Sequence, residues 1–225
     1  MHLARTLAVL TLLPLFAGCQ SFFGSAAPTA STSGMTRMQG ALQGDGGQLF
    51  FQPCGDQRRY VVHDANNTGV LQEASQLAGN RPFIYADLRG RFNASATGGT
   101  DGQLQLHQLY RLERSIAACK DPNFKQLNLS ASGSQPAWDV KVSGQGLVIN
   151  REGQAPLAVP YVEEQVGDGR FNLSSEANGQ RIELWIAPRR CVDPRSASVQ
   201  FMSAELRIND QVSQGCASFG GARND

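Results

Sequence analysis

Five cysteines are the residues of this chain whose chemistry depends most on their spacing: Cys19, Cys54, Cys119, Cys191 and Cys216. Structural zinc sites usually pair cysteines two to four residues apart. No two of these cysteines are that close in the sequence, so their spacing predicts no metal site. Disulfide bonding and thiolate catalysis are the other options, and both depend on the compartment that the chain occupies.

The amino terminus indicates that compartment. Arg5 precedes an apolar run over residues 7–16, and Ala17-Gly18-Cys19 ends the run with two small residues and a thiol. Such a run is typical of a signal peptide and is too short for a permanent membrane-spanning helix. The segment Leu15-Phe16-Ala17-Gly18-Cys19 resembles a bacterial lipoprotein signal, although that family usually has Leu where Phe16 stands. The resemblance implies that residues 1–18 are removed and that Cys19 is lipidated.

The residues after Cys19 predict where the lipid anchors the chain. Gln20 follows the cysteine in place of Asp, which resembles the pattern sorted to the outer membrane. Residues 20–34 are rich in Ser, Ala, Thr and Gly and have no periodicity, so we predict a lipidated cysteine and flexible tether over residues 19–37. The expected location is the outer membrane, with the chain lipid-anchored and facing the periplasm. An ordinary secretory signal, with no lipid on Cys19, is the alternative.

The four remaining cysteines form an even set in an oxidising compartment, which predicts two disulfides. Four cysteines allow three pairings. The sequence pattern changes near residues 130–135, and this change favours Cys54 with Cys119 and Cys191 with Cys216, one bridge inside each of two domains. A catalytic thiol is then not expected, because each of the four has a partner.

Residues suited to catalysis are few. The chain downstream of the signal has two histidines, His63 and His107, and it contains no G-x-S-x-G motif of the kind that presents a nucleophilic serine. Glu163 and Glu164 are neighbours on a predicted strand, so their side chains point to opposite faces and cannot act as a pair. We therefore predict a non-enzymatic protein with no catalytic residues and no cofactor.

The overall charge argues against a nucleic-acid partner. The chain has 20 Lys and Arg against 19 Asp and Glu, a formal net charge of +1, and its basic residues are scattered singly or in pairs. Nucleic-acid-binding domains instead concentrate basic residues on one face. A hydrophobic content of 41% is that of a folded globular protein.

Residues 38–129 predict several short strands and one helix, over residues 70–78, with Leu71, Ala74, Leu77 and Ala78 on its buried face. Strand periodicity follows in residues 104–112, where Leu104, Leu106, Tyr110 and Leu112 alternate with polar residues. The pattern suits a small OB-like barrel with one short helix.

Three segments of this half carry a family resemblance. They are Phe51-Gln52-Pro53-Cys54-Gly55, the run from Pro82 to Gly90 (PFIYADLRG), and the run from Leu104 to Leu109 (LQLHQL). Together they resemble the OB-fold domain of NlpE-type copper-homeostasis and surface-sensing lipoproteins. The C-x-x-C motif of that family's other domain is absent here, so the resemblance implies a fold but neither copper binding nor stress sensing.

Residues 130–219 predict a second, all-β domain of about seven antiparallel strands, followed by a disordered tail over residues 220–225. The segment Gly133 to Val140 (GSQPAWDV), with Gly215-Cys216-Ala217, resembles an uncharacterised domain of proteobacterial envelope lipoproteins. That likeness implies the fold and the Cys191–Cys216 bridge but no activity. The expected fold class is mainly β: an OB-like barrel followed by an antiparallel β domain.

The two tryptophans of the second domain differ in their predicted environment. Trp138 follows the apolar parity of its strand and should be core, whereas Trp185 lies between Leu184 and Ile186 and should face outward. An outward Trp near Arg189 and Arg190 has the composition of a binding surface. We therefore predict Trp185, Arg189 and Arg190 as binding residues.

These observations favour a non-enzymatic outer-membrane lipoprotein that binds a protein or another envelope component in the periplasm. The expected partners are the membrane, through the lipid anchor, and an unknown envelope protein or cell-wall component. The alternative is an inhibitor of a lysozyme-like or other cell-wall hydrolase, since small disulfide-bonded β lipoproteins resembling lysozyme inhibitors occupy the same compartment.

Overall fold

The first half of the chain forms a closed five-stranded barrel in the computed structural model, which describes residues 34–94 and 99–223. Strand β1 pairs with β2, β2 with β3, β3 with β5, β5 with β4, and β4 closes the ring on β1; only β3 and β5 run parallel. The strands are β1 (Thr36–Asp45), β2 (Gln48–Pro53), β3 (Tyr60–Asp64), β4 (Ile84–Asn93) and β5 (Gly102–Glu113). The predicted mainly-β, OB-like barrel is confirmed.

A single α-helix, α1 (Val70–Ala78), connects β3 to β4, as the periodicity predicts. Its buried residues are Val70, Ala74 and Leu77, which pack on the barrel core. Leu71 is half exposed, so the predicted buried face was wrong at that position. No helix in the described ranges is long and apolar enough to cross a membrane.

The second half forms a curled antiparallel sheet of nine strands, two more than predicted. It starts after two short 3-10 helices, Ile116–Lys120 and Phe124–Gln126. In spatial order its strands are β10 (Val162–Gly167), β11 (Arg170–Ala177), β12 (Gln180–Ala187), β15 (Met202–Ile208), β16 (Gln211–Phe219), β6 (Leu127–Ser134), β7 (Ala137–Ser143), β8 (Gly146–Arg151) and β9 (Leu157–Val159). The edge strands β9 and β10 are separated by only Pro160 and Tyr161 in sequence, so the sheet must curl to bring its edges together.

Trp138 lies at the centre of this second core, as predicted, with 3% of its surface exposed. Two glycines make room for its indole ring. A Cβ atom at Gly133 would lie 2.3 Å from the indole Nε1, and one at Gly215 would lie 2.7 Å from the indole Cζ2. The segments that resemble the envelope-lipoprotein domain therefore pack together. Gly133 and Gly215 lie so close to the Trp138 indole that neither position has room for a side chain.

Two very short strands connect the halves. Strands β13 (Cys191–Val192) and β14 (Val199–Gln200) leave the second half and add to the first sheet, where β14 pairs with β5. The predicted disulfides are both present, Cys54–Cys119 and Cys191–Cys216. The second bridge joins β13 of the first sheet to β16 of the second, rather than two strands of one domain.

The predicted boundaries differ from the structure at three places. Strand β1 starts at Thr36, two residues inside the predicted tether, and residue 130 lies within β6. The predicted disordered tail was wrong over residues 220–222, because the backbone N–H groups of Gly220, Gly221 and Ala222 donate to carbonyls of the Phe124–Asn128 segment. Residues 34–225 cluster as one compact unit, so the division at residue 130 stays a prediction about folding units.

Candidate functional site

An aromatic cleft of about 310 Å³ opens where the barrel meets the mouth of the curled sheet; we call it the junction cleft. Its lining combines aromatic rings, a thioether, two amides and one guanidinium. The lining residues are Gln108, Leu109, Tyr110, Gln165, Gly169, Phe171, Pro188, Phe201, Met202, Phe219 and Arg223. Ligand sites are typically concave and apolar with a few placed polar groups, and they favour domain junctions and barrel mouths. The junction cleft has each of these properties.

Two β-bulges in β5 determine which side chains reach the cleft. The register between β4 and β5 shifts twice, leaving His107 and Tyr110 without an opposite residue on β4. Each bulge reverses the inward and outward alternation. Leu109 therefore joins the barrel core, whereas Tyr110 packs outward, in the junction. The strand periodicity of residues 104–112 is therefore interrupted at His107 and Tyr110.

The aromatic floor has defined ring geometry. Phe171 of β11 and Phe219 of β16 stack, with centroids 6.0 Å apart and an interplanar angle of 12°. The Tyr110 ring meets Phe219 edge-on at 6.4 Å. Both arrangements are favourable for aromatic pairs. The three rings come from both halves of the chain, so the floor exists only when the two halves are packed together.

An ion pair fixes the barrel side of the junction. The Arg37 Nε and Nη2 atoms donate to the two carboxylate oxygens of Asp87, at 2.9 and 2.6 Å. The same guanidinium donates to the carbonyl oxygens of Phe219 and Gly220, both at 2.7 Å, and lies 4.2 Å from the centre of the Tyr110 ring. Burial raises the pKa of Asp87, and the hydrogen bonds from Arg37 oppose that shift.

A second guanidinium forms the opposite rim. Arg223 pairs with Glu163 of the edge strand β10 at 3.0 Å. Its Cζ lies 4.7 Å from the Phe171 ring centre and 4.6 Å from that of Phe219. The rim therefore presents positive charge above an aromatic floor, an arrangement that favours ligands with an apolar body and a polar or anionic end.

The groups that line the cleft suit ligand binding: the lining offers amide, phenol, thioether and guanidinium groups beside aromatic rings.

The predicted binding residue Trp185 lies outside the aromatic floor, on the outer face of β12. It is half-buried, and its indole Nε1 donates to Glu183 at 3.1 Å while Arg207 of β15 covers its ring at 5.5 Å. Arg181 pairs with Glu183 at 2.6 Å. The hydrogen bond from the indole, together with Arg181, lowers the pKa of Glu183. Trp185 thus belongs to a cross-strand polar network on the sheet surface.

The structure does not bring Arg190 to Trp185. The Arg190 guanidinium instead binds Glu73 of α1 within this chain, with one Nη2–Oε2 contact at 2.8 Å. Arg189 is exposed and has no ion pair with a described residue. It directly follows Pro188, which lines the junction cleft. Whether Trp185, Arg189 and Arg190 bind a partner stays a prediction, and Cys19 lies outside the described residues.

A larger cleft of about 520 Å³ runs along the Cys54–Cys119 bridge. Its lining includes two exposed apolar side chains, Phe83 and Ile116. Phe83 provides the one aromatic ring of that lining. The junction cleft is smaller and has four aromatic rings and a guanidinium. We regard the junction cleft as the candidate site because specific recognition depends on such groups more than on volume.

Comparison of the chain with protein-family models, with curated proteins and with solved structures finds no match to it. Sequence reasoning missed the junction cleft because its lining comes from several separate strands and the carboxyl-terminal segment. Phe171 and Phe219 have the sequence pattern of ordinary core positions. The bulges that turn Tyr110 outward leave no periodic signal.

Proposed function

We propose that this chain is a non-enzymatic, outer-membrane lipoprotein, anchored through Cys19 and facing the periplasm, which binds an envelope component in the junction cleft. The observation that carries the proposal is the aromatic floor of Tyr110, Phe171 and Phe219 beneath the Arg223 guanidinium. Tyr110 and Phe171 are almost fully buried and form the base of the cleft, while Phe201 and Phe219 are partly exposed in its wall. A concave, largely apolar lining with a few polar groups is typical of ligand sites.

The architecture supports a binding role in an oxidising compartment. One disulfide, Cys54–Cys119, lies on the barrel, and the other, Cys191–Cys216, links strand β13 of the first sheet to β16 of the second. A preformed site loses little conformational freedom when a ligand binds. The closed five-stranded barrel agrees with the OB-like fold that the resemblance implies.

In-cell photo-crosslinking of the full-length protein tests the proposal. A photoreactive amino acid replaces Gln165, which is exposed at the cleft rim, or Gln145, an exposed control in the turn between β7 and β8. We expect an adduct, identified by mass spectrometry, from position 165 and none of the same mass from position 145. Adducts of equal mass and yield at both positions would contradict binding in the cleft.

A further inference from the structure

Arg89 lies beside the junction cleft and has no ion-pair partner among the described residues. It is on β4, on the outer face of the barrel, and 8% of its surface is exposed. Its guanidinium nitrogens are not among the fully buried atoms that lack a hydrogen-bond partner, so the exposed part of the side chain includes its charged end. A guanidinium that reaches solvent and has no carboxylate partner can bind an anionic ligand.

The neighbouring charges are already satisfied. Arg37 occupies both oxygens of Asp87, Arg111 pairs with Glu113 at 3.2 Å, and Arg223 pairs with Glu163. Asp87 also interacts electrostatically with Arg89, but the two-point contact with Arg37 uses its hydrogen-bonding directions. Among the described residues, four guanidiniums therefore share three carboxylates near Tyr110 and Arg223, and Arg189 adds an exposed guanidinium next to Pro188 of the cleft lining. The junction thus has an excess of positive charge, to which Arg89 contributes.

Arg89 is directly adjacent to two residues of the cleft wall. It is the cross-strand partner of Gln108, so the two side chains leave the sheet on the same face. Its Cζ lies 5.7 Å from the centre of the Tyr110 ring, and the Tyr110 hydroxyl donates to Gln108 Oε1 at 3.0 Å. The Gln108 side chain is exposed. A ligand oxygen that displaces the Gln108 oxygen would thus sit beside the Tyr110 hydroxyl and near the unpaired guanidinium.

We infer that the junction cleft binds a single apolar chain that ends in a carboxylate, with the apolar chain against the partly exposed Phe201 and Phe219 and the carboxylate held by Arg89 and the Tyr110 hydroxyl. This inference rests on the proposed function, because it names the ligand class of the same cleft. The role of Arg89 is to position the carboxylate end of the ligand.

Charge and size select this ligand class. Arg89 is a single guanidinium without a carboxylate partner beside Tyr110 and Gln108, and its charge matches that of one carboxylate, whereas a phosphate monoester carries about −1.5 to −2 at neutral pH. The cleft volume of about 310 Å³ is at the lower end of the range for small-molecule sites, roughly 300 to 1,000 Å³. A single short chain fits this volume better than a two-chain lipid.

Isothermal titration calorimetry with decanoate and decanol tests the inference. The two probes share an apolar chain and differ in the charge of the end group. The protein is the mature chain with Cys19→Ser, so that no acyl group of its own competes. We expect decanoate to bind about ten-fold more tightly than decanol or better, because hydrogen bonds to charged groups are the strong ones.

The variant Arg89→Gln removes the charge and keeps much of the length of the side chain. It should lower decanoate affinity about ten-fold and leave decanol affinity unchanged. The unfolding temperature should also stay unchanged, since Arg89 makes no ion pair with a described residue. Arg91→Gln is the matched control: it makes the same change in net charge on the same strand, at an exposed side chain. It should bind both probes as the parent does.

Three results would overturn the inference. Equal affinity for decanoate and decanol would show that the cleft does not recognise a carboxylate. An equal loss of decanoate affinity in Arg91→Gln would show that overall charge, not Arg89, is responsible. If neither probe binds, the cleft does not bind an apolar chain. None of these results affects the in-cell adduct expected at position 165, which tests the proposed function separately.

Discussion

Arg37 and Asp87 form a two-point ion pair between adjacent strands of the barrel, and the same guanidinium binds the carbonyls that end the last strand of the second sheet. The side chain of Asp87 is almost fully buried, with 1% of it exposed. Arg37 thus pairs with the buried Asp87 carboxylate and links strands β1 and β4 of the barrel. It also binds the carboxyl-terminal segment to the first half of the chain. The junction cleft depends on that contact, because Phe219 is part of its floor.

Replacing Arg37 with Met should strongly destabilise the protein. The substitution leaves the Asp87 carboxylate buried without its partner, which typically costs about 3 to 5 kcal/mol. The double variant Arg37→Met with Asp87→Leu should recover much of the loss, because it removes both charges. Urea unfolding of the three proteins measures this, and a double variant less stable than Arg37→Met would contradict the ion-pair account.

The two tryptophans should differ in their contribution to stability. Trp138→Ala creates a core cavity and should cost about 3 to 5 kcal/mol, whereas Trp185→Ala removes a half-buried surface ring and should cost about 1 kcal/mol. Melting curves of both variants provide the comparison. If Trp185→Ala unfolds the protein as Trp138→Ala does, Trp185 is a core residue and the surface network around it has been misinterpreted.

Gly133→Ala should destabilise the second sheet although it adds only a methyl group. The new Cβ would lie 2.3 Å from both the Gln214 carbonyl oxygen and the Trp138 indole Nε1, so the backbone or the ring must shift. Overpacking of this kind typically costs about 1 to 3 kcal/mol. Gly144→Ala is the control, since its added methyl group would have no atom within 4 Å. Equal unfolding free energies for the two variants would refute the packing role of Gly133.

Removing the Cys191–Cys216 bridge should loosen the junction before the two cores. The bridge closes a loop of 25 residues between the two sheets, which in the chain-entropy model contributes about 3 kcal/mol. In the double Ser variant, hydrogen exchange should speed up first in β13 and β14, while the amides around Trp138 stay protected. The Cys54–Cys119 double Ser variant serves as the comparison. Loss of protection throughout the second sheet at the same rate would contradict a junction role.

Lipidation is predicted from the sequence alone. Cys19→Ser should abolish the uptake of labelled fatty acid and move the protein from the outer-membrane fraction to the periplasm, because an acyl chain contributes about 0.8 kcal/mol of membrane affinity for each buried methylene. Cys19 is the residue tested, and Ser21→Ala is a neighbouring control that should change neither result. Unchanged fractionation of Cys19→Ser would rule out the lipid anchor.

Much of the fold follows from local sequence. Helix α1 has a helical apolar spacing and ends before Gly79, and the strands alternate, so their positions are predictable to within a few residues. Strands β13 and β14 are not predictable in this way. Each has two residues, too few for any periodicity, and their place in the first sheet depends on tertiary contact with β5.

The candidate site was less accessible to sequence reasoning. Tyr110 reaches the cleft only because two bulges shift the parity of β5, and Arg89 stands out only once the partners of the surrounding arginines are known. By contrast, an outward Trp185 could be inferred from parity alone. A tryptophan between two core residues is visible in a sequence, whereas a missing ion-pair partner is visible only in three dimensions.

The most direct test of the central claim compares the junction cleft with the Trp185 surface in living cells. A photoreactive residue at position 165 is combined with Gln108→Trp, which fills the cleft from an exposed lining position, or with Trp185→Ala, and the yield of the position-165 adduct is measured by mass spectrometry. Binding in the cleft predicts that Gln108→Trp abolishes the adduct and that Trp185→Ala leaves it unchanged. An adduct that persists in Gln108→Trp and disappears in Trp185→Ala would contradict the account.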